Sequence, residues 1–441
     1  MTLLEPFFMN SNSLMGVYPI FFCFKHDFCK KACNKCPFSP AQMKKRKTME
    51  KTEEYTDLLE EIALYGTPQR VDGVTKDDTF LIIKQTLVYM KNFIHAENPT
   101  HSISKTSIDA CTNNHDLCSY WALSGECEEN PSYMVTKCAP SCQSCHKIDF
   151  NVRCPPRPDD AKPGLTPGDL NLVFENIVKV APGNATEEGR KAAGEGLVQD
   201  DGTPYYTVNI HSLPQSKAAQ PNSEGLVAVD KERDLSEDPW VLTFDNFLTD
   251  EECDHLIQLG YKFGYKRSRD VGKETVDGSF DNKESTSRTS ENAWCSDKEG
   301  CRSDPIVQRI LDRLKTATGI PTENYEDLQL LKYEPGQFYR VHHDYIPHHK
   351  DRHAGPRILT FFLYLSDVEE GGGTGFKDLD ITVTPKKGRA LLWPSVLNND
   401  PMEKDGRMRH EALIVGEGTK FAANAWIHMY EFVEAHKNGC A

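Results

Sequence analysis

The stretch Tyr339–Tyr345 reads YRVHHDY, and its residue types could bind a metal ion. In a β-strand successive side chains point to opposite faces, so His342 and Asp344 would share one face while His343 points to the other. A histidine and a carboxylate side by side supply two of the three ligands of the facial triad that holds non-haem iron. The pair alone is a weak signal, because the chain has 15 histidines. A second histidine must come from elsewhere.

A strand near the end of the chain offers that ligand and a nearby cation. His410 is the candidate for the third ligand, and Lys420 follows it. If residues 420–430 form one strand, every second side chain from Lys420 onward points to one face, where small residues leave space for a cavity beside the metal ion. The residues predicted on that face are Lys420, Ala422, Asn424, Trp426 and His428.

Short strands have to position these side chains. From Pro239 onward the sequence alternates short β-rich runs with turns, which predicts an antiparallel jelly roll and a mainly β fold. Helices are expected at 251–263 and 304–319, and Thr249 or Asp250 is the predicted N-cap of the first.

Residues 239–432 resemble the prolyl 4-hydroxylases of the collagen and plant type, which are iron(II)- and 2-oxoglutarate-dependent dioxygenases. The resemblance rests on signature positions that extend over most of this segment. They are Tyr333, Gly336, Gln337, Tyr339, His342 and Asp344, then Arg357, Thr360, Gly371, Gly372 and Thr374, and finally His410, Lys420, Trp426 and His428.

This resemblance implies a role for each matching residue. It implies that His342, Asp344 and His410 bind iron(II), and that Lys420 pairs with the distal carboxylate of 2-oxoglutarate. Tyr333 and Thr374 would assist Lys420, and L-ascorbate would support repeated turnover by re-reducing the iron. A facial triad agrees with this chemistry, since it leaves three positions for the oxo acid and O2. The residues implied to line the peptide groove are Glu326, Tyr339, Arg357, Trp426 and His428, with Arg288 and Ser290 on a loop that closes over the substrate proline.

The loop STSRTSENAWCSDKEGC is where the sequence departs from the family pattern. It has Glu291 and Asn292 where relatives tend to carry small residues. Cys295 and Cys301 are spaced to form a disulfide at the base of this loop.

Six cysteines between Cys111 and Cys145 form a second chemical cluster. So short a segment cannot bury an apolar core and needs disulfides or a metal ion to fold. Zinc sites usually pair two close cysteine knuckles, and only Cys142 and Cys145 have that spacing. The spacing of the six cysteines, with Trp121 between them, closely resembles that of the ShK toxin-like (ShKT) domain. That resemblance implies the pairs Cys111–Cys145, Cys118–Cys138 and Cys127–Cys142.

The predicted organisation follows from these motifs. It comprises a mainly β fold with a double-stranded β-helix (jelly roll) catalytic domain flanked by helices, a disulfide-rich ShKT module and a helical N-terminal segment. The predicted parts are an N-terminal segment 1–51 with a partial ShKT-like repeat at 23–36, a helical segment 52–105, the ShKT domain 110–146, a linker 147–236 and the dioxygenase domain 237–434. Within the linker, 169–180 is a candidate helix and 204–210 a short strand. The partners of Cys23, Cys29, Cys33, Cys36, Cys154, Cys253 and Cys440 stay open.

Composition constrains the compartment and the partners. A net charge of −15 argues against a nucleic-acid-binding surface, which needs clustered Lys and Arg. The 15 cysteines and the glycosylation sequon at Asn184 favour the lumen of the endoplasmic reticulum or secretory pathway. A membrane anchor is expected only if the sequence is a piece of a longer protein.

The expected function is 4-hydroxylation of proline in proline-rich or collagen-like polypeptides, with O2 as co-substrate. The nearest alternative is another 2-oxoglutarate oxygenase that acts on a different protein side chain. Lysyl hydroxylases and oxygen-sensing prolyl hydroxylases carry arginine at the position of Lys420, which favours the first hypothesis. A secreted binding or channel-blocking protein is the alternative from another class. The ShKT domain is expected to be structurally independent and to tether the enzyme to a partner or substrate, so that a chain starting near Pro239 keeps activity on short peptides.

Overall fold

The computed structural model describes residues 40–94, 104–214, 239–296 and 300–441. Cys23, Cys29, Cys33 and Cys36, and with them the predicted partial repeat, lie outside the described residues. None of the described helices is both long and apolar enough to span a bilayer.

Within these residues the chain forms thirteen α-helices and sixteen strands. The helices are α1 Pro40–Ile62, α2 Lys76–Ile94, α3 Lys105–Asp109, α4 Cys118–Leu123, α5 Glu126–Glu129, α6 Pro131–Lys137, α7 Phe150–Arg153, α8 Asp169–Val180, α9 Pro182–Ala185, α10 Glu187–Gly194, α11 Asp250–Phe263, α12 Pro305–Thr318 and α13 Val433–Lys437. The strands are β1 Thr207–Ser212, β2 Val241–Asp245, β3 Lys266–Arg267, β4 Arg269–Glu274, β5 Phe280–Glu284, β6 Glu291–Cys295, β7 Leu328–Tyr333, β8 Tyr339–His342, β9 Arg357–Tyr364, β10 Glu370–Gly371, β11 Thr374–Phe376, β12 Ile381–Val383, β13 Ala390–Pro394, β14 His410–Ala412, β15 Val415–Glu417 and β16 Lys420–His428.

Two antiparallel sheets build the centre of the molecule. The larger has the strand order β1-β2-β13-β9-β16-β7-β6-β3, and the smaller has the order β12-β11-β14-β8. Side chains from both sheets form one apolar cluster, among them Tyr333, Phe362, Phe376 and Trp393. The expectation of a sheet-rich, antiparallel fold is confirmed.

Three helices cover the other face of the larger sheet, where α8, α11 and α12 share a second apolar cluster with β2, β7 and β9. The helices predicted at 251–263 and 304–319 are α11 and α12. Thr249 begins α11 with a capping box, since its hydroxyl accepts from Glu252 N at 3.2 Å and its own N donates to the Glu252 carboxylate at 3.0 Å. Arg313 of α12 donates to the same carboxylate at 2.8 and 2.9 Å, which ties the two helices together.

The segment predicted as a linker differs from the expectation. Helix α8 is the candidate helix at 169–180, and its Leu170, Phe174 and Ile177 are buried in the same cluster as the larger sheet. Strand β1 pairs with β2 and forms the edge of that sheet. The abundant Pro and Gly of 147–236 suggested a linker, but the apolar spacing of α8 gives it one buried face. Residues 165–212 are therefore part of the sheet domain.

The cysteine module, residues 110–146, is held by three disulfides. They join Cys111 to Cys145, Cys118 to Cys138 and Cys127 to Cys142, the pairing that the resemblance implied. These sulfur atoms are bonded to one another, so they do not form a zinc site. The module packs on helix α2, because Met90 of that helix lies in one apolar cluster with Cys111 and Cys145.

Two further disulfides lie outside the cysteine module. Cys295 pairs with Cys301 after β6, as their spacing predicted. Cys154 pairs with Cys440, so the segment after the module is bonded to the region of α13. Cys253 is a buried free thiol in α11.

Candidate active site

Two paired strands bring three potential metal ligands together. His342 ends β8 and lies directly opposite His410, the first residue of β14. Asp344 follows β8 by two residues. One ligand atom from each of the three lies within 4.8 Å of the others, which is close enough for one metal ion. The Nε2 atoms of His410 and His342 lie 3.5 and 3.9 Å from the carboxylate of Asp344.

Hydrogen bonds orient all three side chains. His342 Nδ1 lies 2.9 Å from the carbonyl oxygen of Arg340, and His410 Nδ1 lies 3.0 Å from that of Met408. Each Nδ1–H donates to its carbonyl, so each Nε2 lone pair is available to a metal ion. Thr360 donates to Asp344 at 2.7 Å. Burial, together with His410, lowers the pKa of His342 to about 3, which keeps the imidazole in its neutral, metal-binding form.

The neighbouring His343 points away from this cluster, as the alternation along a strand predicts. Its Nε2 donates to the carbonyl oxygen of Asp405 at 2.8 Å, and its Nδ1 accepts from Tyr345 N at 2.9 Å. Both ring nitrogens are therefore engaged in positioning the loop.

Lys420 is a fully buried cation at the start of β16, opposite Tyr333 of β7. Its Nζ has no hydrogen-bond partner among the described residues. The Nζ lies 5.0 to 5.4 Å from the ring centroids of Tyr333, Phe362 and Tyr364. Burial lowers the pKa of Lys420 to about 7. A buried cation without a partner is costly, so this site fits a carboxylate ligand.

Thr374 lies next to this site on β11. Its hydroxyl is 2.7 Å from the hydroxyl of Tyr364, whose ring faces the Lys420 ammonium. Tyr333, Thr374 and Lys420 thus surround one polar spot between the two sheets.

On the same face of β16, further along, an ion-pair network borders the metal ligands. The Arg357 guanidinium donates to the Glu326 carboxylate at 2.6 and 3.0 Å, and the ring of His428 is 2.6 Å from it. Burial alone would raise the pKa of Glu326. Arg357 and His428 outweigh that effect and hold this pKa well below its usual range. Arg357 also stacks on Trp426, with 3.7 Å between guanidinium and ring centroid. Trp426 lies opposite Thr360, the residue that bonds Asp344, so the network adjoins the metal ligands.

On the other side, Arg288 and Tyr339 cover the metal ligands. The ring of Tyr339 stacks on His342 at 3.6 Å, and the Arg288 guanidinium lies 4.9 Å from the Tyr339 ring. Arg288 donates to Gln329 at 2.7 Å and to the Ser290 hydroxyl at 3.2 Å. Both Arg288 and Ser290 are buried.

Sequence reasoning missed two residues of this surface, Gln329 and Trp294. Gln329 joins Arg288 to Asn424, with 3.2 Å between the two amide groups. The alternation that places Tyr333 on the inner face of β7 also places Gln329 there, so the signal was present. Trp294 of β6 is 43% exposed and lies 6.2 Å from Trp426.

Glu291 and Asn292 do not lie in a loop, in contrast to the expectation. They begin β6 within the larger sheet, paired with β7.

Comparison with known proteins identifies the family. Residues 328–428 match the 2OG-Fe(II) oxygenase superfamily. The chain is 36% identical over 261 residues to prolyl 4-hydroxylase 2 of Arabidopsis thaliana, a match that covers 54% of this chain and 83% of that protein. It is 32% identical over 213 residues to the prolyl 4-hydroxylase subunit alpha-2 of Gallus gallus, over 47% of this chain and 37% of that protein.

Among solved structures, a viral collagen prolyl hydroxylase from Paramecium Bursaria Chlorella virus-1, in complex with 2OG, is 27% identical. The match covers 43% of this chain and 95% of the viral chain, with a TM-score of 0.32. The identity to the plant enzyme, over most of that enzyme's length, decides the assignment. The chain belongs to the prolyl 4-hydroxylase family of 2-oxoglutarate- and iron(II)-dependent oxygenases.

Proposed function

We propose that this chain is a peptidyl-proline 4-hydroxylase that acts on proline-rich or collagen-like polypeptides. It couples the oxidative decarboxylation of 2-oxoglutarate by O2, which yields succinate and CO2, to hydroxylation of proline at C4. One observation carries the proposal. The buried Lys420, which has no hydrogen-bond partner in the described part of the chain, and the Arg357–Trp426 stack lie on the same face of β16, beside His342, Asp344 and His410.

The residues assigned to iron are His342, Asp344 and His410, and iron(II), when bound, supplies the redox chemistry that activates O2. Lys420 neutralises the distal carboxylate of 2-oxoglutarate, and Tyr333 and Thr374 complete that end of the site. Because Lys420 is fully buried, the carboxylate would bind away from water, where a matched ion pair is strongest. The charge of the lysine is thus the basis of co-substrate binding.

The peptide groove is assigned to Arg288, Ser290, Glu326, Tyr339, Arg357, Trp426 and His428. Proline-rich chains adopt the extended polyproline II helix, which binds to surfaces lined by aromatic rings. Tyr339, Trp426 and the exposed Trp294 supply such rings on both sides of the metal ligands. Glu326 is already paired with Arg357 and His428, so its role is to position those two side chains.

The remaining assignments rest on particular features of the fold. The two facing antiparallel sheets, with the site between them, support a double-stranded β-helix, or jelly roll. The cysteine pairing supports an ShKT domain at 110–146, with a recruited partner or substrate as its ligand. Disulfides persist in oxidising compartments, which supports the lumen of the endoplasmic reticulum or secretory pathway. L-ascorbate is proposed as the reductant that maintains iron(II).

The test is incubation of the purified full chain with iron(II), 2-oxoglutarate, ascorbate, O2 and a proline-repeat peptide. Tandem mass spectrometry should locate one added oxygen atom on proline, and succinate should form in equal amount. Peptides that carry lysine or asparagine in the same context serve as controls. Hydroxylation of one of these residues, with proline unmodified, would establish the alternative oxygenase and reject proline as the substrate.

A further inference from the structure

The hairpin formed by β4 and β5 is held at its tip by the cysteine module. Lys137, the last residue of α6, places its Nζ 2.7 Å from the carboxylate of Asp277 and 3.2 Å from the hydroxyl of Ser279. Asp277 also accepts from the backbone N and the hydroxyl of Ser279, at 3.1 and 2.6 Å. Burial alone would raise the pKa of Asp277. Lys137 and Ser279 outweigh that effect and hold this pKa well below its usual range. The hairpin turn is thus organised around a carboxylate that the module neutralises.

The segment after the module contacts the same tip. Arg153 donates to the carbonyl oxygen of Asp277 at 2.6 Å. The ring of Phe150 lies 3.7 Å from the Arg352 guanidinium. A Cβ atom on Gly278 would lie 2.4 Å from that ring, and Gly278 has φ of +74°, so the turn fits against Phe150 only as glycine.

A disulfide keeps the module on the sheet domain. Cys154 follows Arg153 and is bonded to Cys440, and Arg153 donates to the carbonyl oxygen of Gly439 at 3.2 Å. The module is therefore docked on the sheet domain, in contrast to the expectation that it would be structurally independent. Its place on the hairpin is fixed by a covalent bond and an ion pair.

The chain beyond β5 runs from the hairpin to the proposed peptide groove. It lies beside β8, since Arg340 N donates to the carbonyl oxygen of Ser287 and Thr289 N to that of Phe338, both at 2.9 Å. Arg288, between them, covers Tyr339. The hairpin therefore continues directly into the segment that covers the metal ligands.

The hairpin also reaches the groove from its other side. The ring of Phe280, the first residue of β5, lies 4.5 Å from that of His348 in the 3-10 turn Pro347–Asp351. The next residue, His349, lies 5.5 Å from the ring of His428. Movement of the hairpin would therefore disturb both sides of the groove.

A two-stranded hairpin is marginally stable by itself and depends on what it packs against. We infer that the cysteine module acts as a clamp that holds the β4–β5 hairpin in place, and that Lys137 is a positioning residue for the peptide substrate. This inference rests on the proposed function, because the groove is assigned to a peptide. The clamp lowers the entropy lost when the peptide binds, since the groove is already ordered. Lys420, His342 and His410 lie in the sheets, so co-substrate binding does not depend on the clamp.

The kinetic test reverses the charge of Lys137 in the full chain. Lys137→Glu should raise the KM for a proline-repeat peptide about tenfold, because a charge-assisted hydrogen bond is replaced by repulsion. The KM for 2-oxoglutarate and kcat should stay within about twofold. Lys147→Glu is the matched control, since it makes the same charge change at an exposed lysine next to the module. The double variant Lys137→Glu/Asp277→Lys should recover most of the peptide affinity.

Hydrogen exchange supplies a readout that is independent of turnover. In Lys137→Glu the amides of the turn 275–279 should exchange about tenfold faster, while those of α12 stay unchanged. Lys137→Met should show the same pattern with a smaller effect. If the Lys137→Glu protein does not fold, hydrogen exchange in Lys137→Met tests the inference instead. Unchanged exchange in both variants, or faster exchange with an unchanged peptide KM, would overturn the inference. If the wild-type chain hydroxylates no proline peptide, the proposed function fails, and exchange alone then decides whether the clamp exists.

Discussion

The sheet domain and the cysteine module are stabilised by different means. The sheets rely on buried rings and aliphatic side chains, such as Phe361, Leu363 and Trp393, which are at most 1% exposed. The module has small apolar clusters in which half-cystines take part, and three disulfides hold it together. The difference indicates a division of roles. Close packing positions the catalytic residues, and two disulfides, Cys154–Cys440 and Cys295–Cys301, add to the stability of the sheet domain. The module has little packed core and depends on its disulfides, and so on oxidising surroundings, to fold at all.

The strongest way to break the sheet domain's function without affecting the module is to remove a metal ligand. His342→Ala, Asp344→Ala and His410→Ala should each reduce turnover by at least about 100-fold, since loss of even an outer-shell partner costs 10- to 100-fold. His343→Ala should retain activity within about threefold, because His343 bonds only to loop atoms. Succinate release measures both. Equal losses at His342 and His343 would contradict the alternation argument.

Truncation separates the two regions directly. A chain beginning at Pro239 lacks α8 and β1, and with them the buried Leu170, Phe174 and Val208. Large core side chains contribute about 2–5 kcal/mol each, so this chain should not fold cooperatively. A chain beginning at Cys154 keeps both elements and the disulfide to Cys440, and it should melt as one unit and bind 2-oxoglutarate. Calorimetry measures whether each of the two chains has a cooperative unfolding transition. A folded, active chain from Pro239 would show that α8 and β1 are dispensable.

A substitution at Lys420 sharpens the contrast between co-substrate and peptide. Lys420→Ala should raise the KM for 2-oxoglutarate about 100-fold, because it leaves a buried carboxylate without a cation. The peptide KM should change by less than about threefold, since Trp426 and His428 of the groove lie at the opposite end of β16. Steady-state kinetics with each substrate varied in turn measures both, and the reverse ranking would remove Lys420 from its assigned role.

The smallest expected effect is a dependence of 2-oxoglutarate binding on pH. Burial lowers the pKa of Lys420 to about 7, and only the protonated amine attracts a carboxylate. As the pH rises above about 7, apparent affinity should fall by up to tenfold per pH unit. Lys420→Arg is the control, because guanidinium stays charged in this range. An identical pH profile in both proteins would show that another group titrates.

Local periodicity predicted much of the site. The alternation of side chains along a strand predicted that His342 and His343 point to opposite sides. It also predicted that Lys420, Trp426 and His428 share one face of β16. This alternation can be predicted because it depends only on the geometry of neighbouring backbone units. The capping signal at Thr249 located the start of α11 for the same reason. The roles themselves came from resemblance to a family.

Contacts between distant parts of the chain could not be predicted in this way. The pairs Lys137–Asp277 and Cys154–Cys440 join residues 140 and 286 positions apart, and no periodic pattern connects them. In the predicted linker, Pro and Gly content outweighed the apolar spacing of α8, although that spacing carried the correct signal. Composition describes a whole segment, whereas burial is decided by a few side chains on one face.

The Cys154–Cys440 disulfide makes the sheet domain a closed covalent ring of chain. Its closure over 286 positions restricts the unfolded state more than the folded one. In the chain-entropy treatment, a loop of this length contributes about 5 to 6 kcal/mol, comparable to the whole stability of many domains. A single cut by a protease inside the ring would also leave every residue attached to the same molecule.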